Sequence, residues 1–220
     1  MKVELLSWTP RPEFVTKIAS KTCYSEKSPL EMGEGENFPD ISTLMDKGHT
    51  SVIEHATFTF AIEGISRACS HQLVRHRIAS YSQQSQRMAK TEEYVKPPSI
   101  KKEKKKEKVF IETIKHSIEA YKKLKELGVP LEDARFVLPN ATKTNIVVTM
   151  NARSLLNFFR LRCCLRAQWE IRELANRMLK LVRKKMPKVF EKAGAPCRVE
   201  GICPEDNHEC KWYETFVVKP

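Results

Sequence analysis

Alternating apolar and polar positions mark the strands of this chain. Residues 2–8 alternate, and residues 56–62 set Phe58 and Phe60 between threonines. A period of two is typical of a strand with one buried face. Residues 145–150 are rich in β-branched side chains, which also favours a strand. The pattern therefore predicts three strands, widely separated along the chain.

Apolar residues at helical spacing fill most of the remaining chain. The segments between the helices at residues 25–37 and 77–87 are polar and predict loops. The predicted helices lie around Phe14–Ala19, around Ile41 up to Gly48, from a capping Ser66 to about Val74, from Val109 to Leu124, at 131–137, at 151–162 and at 168–190. We expect Gly128 and Pro130 to end the fourth of these helices and Pro187 to bend or break the last one.

Length and composition indicate a globular protein. The 220 residues are 41% hydrophobic and 30% charged, which suits one domain, assigned to 1–193, followed by a cysteine-containing tail at 194–220. No apolar run has the length of a membrane span, and the N-terminus does not resemble a secretory signal. Seven cysteines, an odd number, predict reduced thiols and a cytoplasmic protein without a membrane partner.

A net charge of +12 favours anionic partners, either nucleic acid or small phosphorylated ligands. The lysine-rich run at 101–108 resembles a nucleic-acid patch, but it begins a helical pattern and is better explained as a solvated first turn or junction. Two alternatives to an enzyme stay open at this point: a basic RNA- or DNA-binding protein, and a nucleotide-binding module without catalysis.

The polar stretch from Arg75 to Arg87 carries the chemistry. Its thirteen residues include three arginines, three serines, three glutamines and one histidine, and no carboxylate. Guanidinium groups match the geometry of phosphate oxygens, and hydroxyls and amides complete a polar cradle. The stretch therefore indicates a site for an anionic, nucleotide-like ligand, with a solvated basic loop as the alternative.

Two other segments invite interpretation as metal sites. His49, Glu54 and His55 lie close in sequence but lack the i, i+4 histidine pair of a helical zinc motif. In the tail, Cys197, Cys203 and Cys210 are separated by five and six residues, which is unlike the paired CxxC of zinc sites. We expect no metal, and a turn capped by Ser51 is the plain structural interpretation of the first segment.

Three segments together resemble the flavin-dependent thymidylate synthases. Arg75-His76-Arg77, followed by seven residues and Ser85, resembles the RHR-x7-S signature of that family. Residues 48–55 resemble its G-H-x-[ST]-x-x-E-H segment, and residues 151–162 with Gln168-Trp169-Glu170 resemble its second conserved region. The resemblance covers most of residues 1–193.

The resemblance implies an enzyme that methylates dUMP to dTMP. FAD is the implied cofactor, 5,10-methylenetetrahydrofolate the one-carbon donor and NADPH the reductant, with the flavin as hydride carrier. It also implies the family's own α/β (α+β) fold, an antiparallel or mixed sheet flanked by helices, and the sequence contains no GxGxxG dinucleotide fingerprint. Family members are homotetramers with inter-subunit active sites, and no nucleic-acid partner is implied.

Site residues follow from the same resemblance. Arg162 is the implied catalytic residue, since its guanidinium would stabilise charge on the uracil, and Ser85 is assigned to phosphate binding rather than to nucleophilic attack. Gln83 stands where many relatives carry an acid, and Arg166 where some carry a histidine. The implied FAD contacts are Ser51, Arg75, His76, Arg77, Gln83, Asn151, Ala152, Arg153 and Asn157. The implied dUMP contacts are Gln72, Leu73, Val74, Arg75, Gln83, Gln84, Ser85, Gln86, Arg87, Arg135 and Arg162.

Overall fold

A computed structural model describes residues 1–88 and 92–218; residues 219 and 220 of the predicted tail lie outside the described residues. Four strands form one sheet in the order β1-β2-β4-β3. The strands are β1 Lys2–Trp8, β2 Thr57–Ser66, β3 Ser80–Gln83 and β4 Lys143–Asn151. The three strand predictions are confirmed as β1, β2 and β4, and the sheet with its helices confirms the α+β class.

Helices make up the greater part of the described chain. The α-helices are α1 Pro12–Thr22, α2 Ile41–Asp46, α3 Arg67–Leu73, α4 Pro98–Lys101, α5 Lys104–Glu126, α6 Leu131–Ala134, α7 Ala152–Arg162, α8 Trp169–Arg183, α9 Pro187–Phe190, α10 Pro196–Val199 and α11 Lys211–Tyr213. Short 3-10 turns lie at Pro29–Glu31, Thr50–His55 and Arg135–Val137, and a π-helical turn at Glu214–Val218. None of the helices in the described ranges is both long and apolar enough to cross a bilayer.

The central strands β2 and β4 run antiparallel. The hydroxyls of Thr59 and Thr149 lie 2.9 Å apart, and the amide of Gly64 donates to the side-chain oxygen of Asn145 at 3.0 Å. Residue numbers thus rise along β2 while they fall along β4, which is the antiparallel arrangement. Both strands lead directly into helices that carry predicted site residues, α3 after β2 and α7 after β4.

The chain divides into two compact units, and β2 and β4 contribute residues to both. The first unit contains residues 1–2, 62–75 and 82–146, and the second contains 3–61, 76–81 and the chain from 147 onward. The predicted division at residue 193 concerns a different boundary and stays a prediction.

The second unit is built around a cluster of phenylalanines. The ring centroid of Phe190 lies 5.6 Å from that of Phe58 and 5.9 Å from that of Phe159, both edge-to-face. Phe158 and Phe159 lie 5.6 Å apart, and all four rings are fully buried. Aromatic pairs in this geometry add to the free energy gained by burying their large apolar surface. This core holds α7, whose polar residues form part of the candidate site.

The first unit is more solvated. Ser66 caps α3 as predicted, since its hydroxyl accepts from the amide of Cys69. The long helix α5 buries only Ile114, and its lysine-rich start is exposed. Lys106 pairs with Glu103 at 2.8 Å, so the run has its own counterions. This confirms the interpretation of the lysine run as a solvated helix start.

One prediction about an element was wrong, and another was confirmed. Residues 77–87 are not a loop throughout, because β3 occupies Ser80–Gln83 and half-buries Tyr81 and Gln83 on one face. The break expected at Pro187 is confirmed, because the helix predicted at 168–190 is two helices, α8 and α9. The first ends at Arg183, and Pro187 starts the second at its first position, where a missing amide proton costs nothing.

Candidate functional site

In the first unit, the end of the Arg75–Arg87 stretch is anchored through Gln83. Its side-chain amide donates to the hydroxyl of Ser70 at 2.8 Å and to that of Thr144 at 3.2 Å. Both hydroxyl residues are buried. An amide group can supply two N–H donors here, whereas an ionised carboxylate supplies none. Gln83 stands where many relatives carry an acid, and in this chain two hydroxyl groups accept the hydrogen bonds that its amide donates.

Two of the arginines predicted to contact dUMP meet at Glu132. Nη1 of Arg87 lies 3.1 Å from the Glu132 carboxylate, and Nε of Arg135 donates to the Glu132 carbonyl oxygen at 3.1 Å. Burial and the nearby charge of Arg135 lower the pKa of Arg67. The Ser85 hydroxyl accepts from the amide of Arg87 at 3.2 Å, which fixes the turn. The first unit thus concentrates positive charge, with Glu132 as the carboxylate that partly balances it.

The other predicted nucleotide contacts of this unit lie at the end of α3 and after β3. Leu73 is fully buried, so its side chain is part of the core, whereas Gln72 is half-buried and Val74 and Arg75 are exposed. Gln86 is half-buried. The backbone amide of Gln84 donates to the backbone carbonyl of Asn145 at 2.9 Å. Gln84 also lines a polar cavity of about 730 Å³ together with Glu63, Glu92, Glu93, Lys143 and Asn145.

In the second unit, His76 contacts the predicted catalytic residue. Nε of Arg162 lies 3.1 Å from Nε2 of His76, and the imidazole stands edge-on to the ring of Phe158 at 4.9 Å between centroids. The hydroxyl of Tyr81 donates to the carbonyl oxygen of His76 at 2.8 Å. Burial, and then the charge of Arg162, lower the pKa of His76 to about 4. The imidazole is therefore neutral at neutral pH.

The start of α7 carries the predicted flavin contacts. The side-chain oxygen of Asn151 caps the helix by accepting from the amide of Ser154 at 2.8 Å. Ala152 is buried, and its amide donates to the carbonyl of Ala56. Nη1 of Arg153 lies 2.5 Å from the carboxylate of Glu54. Asn151 therefore fixes where α7 starts.

Other predicted flavin contacts of this unit are exposed. Ser51 lies in the 3-10 turn at Thr50–His55 and does not act as its N-cap, a position held by His49. Arg77 is exposed after the end of α3. Asn157 faces a cavity of about 780 Å³, whose wall also includes Arg160, Val189 and Glu200. Arg160 forms an ion pair with Glu200 of the tail.

The structure brings the predicted residues together in two groups. The first unit holds Gln72–Arg75, Gln83–Arg87 and Arg135, and the second holds Ser51, His76, Arg77, Asn151–Arg153, Asn157 and Arg162. Sequence reasoning missed the groups that hold these arginines in place. The contact of Arg135 with Glu132, three residues earlier, was detectable from its spacing. Glu54 lies in the 48–55 segment, but its pairing with Arg153, 99 residues away, had no local signal.

The segments considered for metal binding show other interactions. Across residues 1–88 and 92–218, no three His, Cys, Asp or Glu side chains are grouped so that they could hold a metal ion. In the tail, burial raises the pKa of Cys197, and the neighbouring Cys164, Cys210 and Cys203 raise it further. Arg166, the second departure from the family pattern, pairs with Glu205 at 2.7 Å.

The protein has an α+β fold, and both groups of predicted site residues include arginine and amide side chains. Residues 4–188 match the model of the Thy1 family, described as thymidylate synthase complementing protein. The flavin-dependent thymidylate synthase of Geobacter sulfurreducens is 51% identical over 218 residues, which cover 96% of this chain and 94% of the relative. That of Clostridium tetani is 48% identical, covering 96% and 93%. The chain therefore belongs to the Thy1 family.

A solved structure agrees on the fold. The crystal structure of the UMP/dUMP methylase PolB from Streptomyces cacaoi, bound with 5-Br dUMP, superposes with a TM-score of 0.74. It covers 86% of this chain and 93% of its own, at 23% identity. The same architecture is thus present in a distant protein, and the family resemblance predicted from the three segments is confirmed by the family match.

Proposed function

We propose that the protein is a flavin-dependent thymidylate synthase, which uses FAD, 5,10-methylenetetrahydrofolate and NADPH to methylate dUMP reductively to dTMP. The observation that carries the proposal is the 51% identity to the Geobacter sulfurreducens enzyme of that name over nearly the whole of both chains. The Streptomyces cacaoi methylase binds the dUMP analogue 5-Br dUMP in its crystal structure, which supports the same substrate class here.

The arginines of the first unit suit the nucleotide's phosphate. Arg87 binds the Glu132 carboxylate and Arg135 the Glu132 backbone carbonyl, and a phosphate offers a larger charge and more acceptor oxygens than either group. The ion pair of Arg87 with Glu132 is more than half exposed, so replacing it costs little free energy. In this proposal dUMP displaces Glu132 from Arg87, and Ser85 keeps the turn in place.

The second unit fits a flavin by the chemistry of its donors. Arg153 and Asn157 present exposed polar groups on one short helix, and Asn151 fixes where that helix starts. Arg77 and Ser51 add exposed donors, His76 is neutral, and the nearby carboxylate of Glu54 is paired with Arg153. Bound FAD would supply the hydride of the reductive methylation, while these side chains hold and orient it.

Arg162 has the chemistry to polarise the pyrimidine. It ends α7, is half-buried, and keeps its terminal amino groups on a planar fork whose Nε is already bound to His76. A guanidinium held in this way would stabilise negative charge that develops on the uracil ring. Preorganised charge of this kind contributes strongly to catalysis because it needs no rearrangement during the reaction.

The proposal extends to assembly and location. We propose a homotetramer whose active sites lie between subunits, as the family resemblance implies, and a catalytic domain at 1–193 that is followed by a cysteine-containing tail. All seven cysteines have free thiols, which suits the reducing cytoplasm, where we place the enzyme.

Flavin spectroscopy separates this proposal from its rivals. Purified protein titrated with FAD is expected to bind it stoichiometrically, and the bound flavin spectrum is expected to bleach when NADPH is added. A nucleotide-binding module without catalysis would not bleach, and a nucleic-acid-binding protein would instead show a strongly salt-dependent affinity for DNA or RNA. No FAD uptake at micromolar concentration would refute the proposal.

A further inference from the structure

The contact between Arg162 and His76 has a defined direction. Nε of an arginine is always a donor, so at 3.1 Å Nε2 of His76 must be the acceptor. A neutral imidazole accepts through one nitrogen and donates through the other, which places the proton on Nδ1. Protonation of Nε2 would remove the acceptor and set two positive charges against each other.

Two contacts hold His76 in this role. The edge-on ring of Phe158 fixes the plane of the imidazole, and the Tyr81 hydroxyl holds the backbone carbonyl of the same residue. Among residues 1–88 and 92–218, Arg162 and Tyr81 are the charged or titratable side chains that contact His76. Phe158 and Arg162 lie one helical turn apart on α7. The same helix therefore carries the ring that packs against the imidazole and the arginine that the imidazole binds.

Anchoring Nε has a consequence for the rest of the guanidinium. The five N–H donors of arginine lie in one plane, so a hydrogen bond at Nε fixes the direction of the four donors on the two terminal amino groups. Without this bond the half-buried side chain would lose part of its orientation. Misplacement of a catalytic group lowers the rate even when its charge is kept.

We propose that His76 is a positioning residue for the methylation: its neutral imidazole accepts the Nε proton of Arg162 and orients the terminal amino groups of Arg162 toward the uracil. This inference rests on the proposed function for the role of Arg162. It assigns His76 a task that is separate from flavin contact, and it requires the acceptor nitrogen rather than the aromatic ring.

The test compares two substitutions of His76 in the full-length holoenzyme. His76→Phe keeps an aromatic edge for Phe158 and removes the acceptor, whereas His76→Gln keeps an acceptor oxygen at a similar reach. At saturating FAD, we expect His76→Phe to slow dTMP formation about 10-fold and His76→Gln to stay within about 3-fold of wild type. His116→Phe, on the exposed face of α5, is the matched control and should match wild type.

A double-substitution cycle identifies the partner. Lysine has no Nε–H, so in an Arg162→Lys background the change His76→Phe should have no further effect on the rate of dTMP formation. A readout independent of turnover is NMR of ¹⁵N-labelled histidine. At pH 7 it should show Nδ1 protonated and Nε2 accepting a hydrogen bond, and the bond should disappear in Arg162→Lys.

Each outcome decides the matter. Equal rates for His76→Phe and wild type at saturating FAD, or the same loss from His76→Phe in both backgrounds, would overturn the inference and leave the proposed function intact. Failure of His76→Gln to recover activity while it binds FAD and folds normally would also overturn it. Wild-type protein that binds FAD but forms no dTMP would refute the proposed function and, with it, this inference.

Discussion

Arg153, in the first turn of α7, forms an ion pair with Glu54, which lies 99 residues earlier in the 3-10 turn at Thr50–His55; the two charged atoms are 2.5 Å apart. The pair joins two of the three segments that resemble the flavin-dependent thymidylate synthases. We expect such a contact where two segments that are far apart in sequence bind the same ligand.

The first prediction concerns Arg162. Replacing it with alanine should slow dTMP formation about 10- to 150-fold, which corresponds to the loss of a charged hydrogen bond worth about 1.5–3 kcal/mol. NADPH oxidation without dUMP should change much less, because it requires no charge on the uracil. Arg162→Lys should recover activity only in part, since lysine lacks the planar fork.

Stopped-flow measurement of the two rates in each variant checks this prediction. Arg177→Ala is a suitable control, because Arg177 lies exposed on α8 and pairs with Glu173. Equal damage to both rates in Arg162→Ala would assign Arg162 to flavin binding or to folding instead.

The second prediction concerns the carboxylate that binds Arg87. Glu132→Gln removes the charge that competes with phosphate, so the KM for dUMP should fall, by up to about 5-fold for an exposed pair worth at most about 1 kcal/mol. Arg87→Ala should raise the KM instead. Steady-state kinetics at varied dUMP tests both changes, with Glu126→Gln on the exposed end of α5 as the control. A higher KM in Glu132→Gln would mean that Glu132 orients Arg87 for the ligand.

The third prediction follows from the lowered pKa of His76. The unfolded chain takes up a proton near pH 6.5, but the folded protein does so only near pH 4. Stability contributed by this residue is therefore complete above about pH 6.5 and is lost as the pH falls toward 4. The side chain is half-buried, so after allowing for solvent screening we expect on the order of 1 kcal/mol.

Urea unfolding at a series of pH values measures this loss. The decrease in the free energy of unfolding between pH 6.5 and 4 should be smaller in His76→Gln than in wild type, because glutamine does not titrate. His116→Gln, at an exposed site, should follow the wild-type curve. Identical curves for His76→Gln and wild type would contradict the burial of a neutral imidazole.

The fourth prediction tests sites shared between subunits. Arg87→Ala and Asn151→Ala each damage one of the two groups of predicted site residues. If an active site takes one group from each of two subunits, mixing the two variants after subunit exchange should restore part of the activity. Light scattering should show a tetramer of the 25.4 kDa chain. A monomer, or no recovery after confirmed exchange, would argue against inter-subunit sites.

Much of the architecture could be predicted from local sequence. Alternation identified β1 and β2, and Ser66 was recognisable as a helix cap because capping depends on residues two or three positions away. The strand β3 was missed because Tyr81 is its one apolar residue. Its inward face is completed by Gln83, whose burial depends on hydroxyls of Ser70 and Thr144 that no local pattern reveals.

The cationic side chains of the candidate site could be predicted from the sequence, but the groups with which they pair could not. A motif such as Arg75–Arg87 is continuous in sequence, so its donors are visible at once. The partners of Arg87, Arg153 and Arg162 come from distant segments, and only the fold places them there. The lowered pKa of His76 could not be predicted from the sequence either, because burial beside a guanidinium is a property of the folded chain.

Formation of dTMP is the most direct test of the central claim. Wild-type protein should convert dUMP to dTMP, measured by chromatography, when FAD, NADPH and 5,10-methylenetetrahydrofolate are all present, and omission of any one of them should abolish product. The account predicts a further dependence on Arg162, with product formation reduced at least about 10-fold in Arg162→Ala. Protein that is loaded with FAD and oxidises NADPH but forms no dTMP with all components present would contradict it.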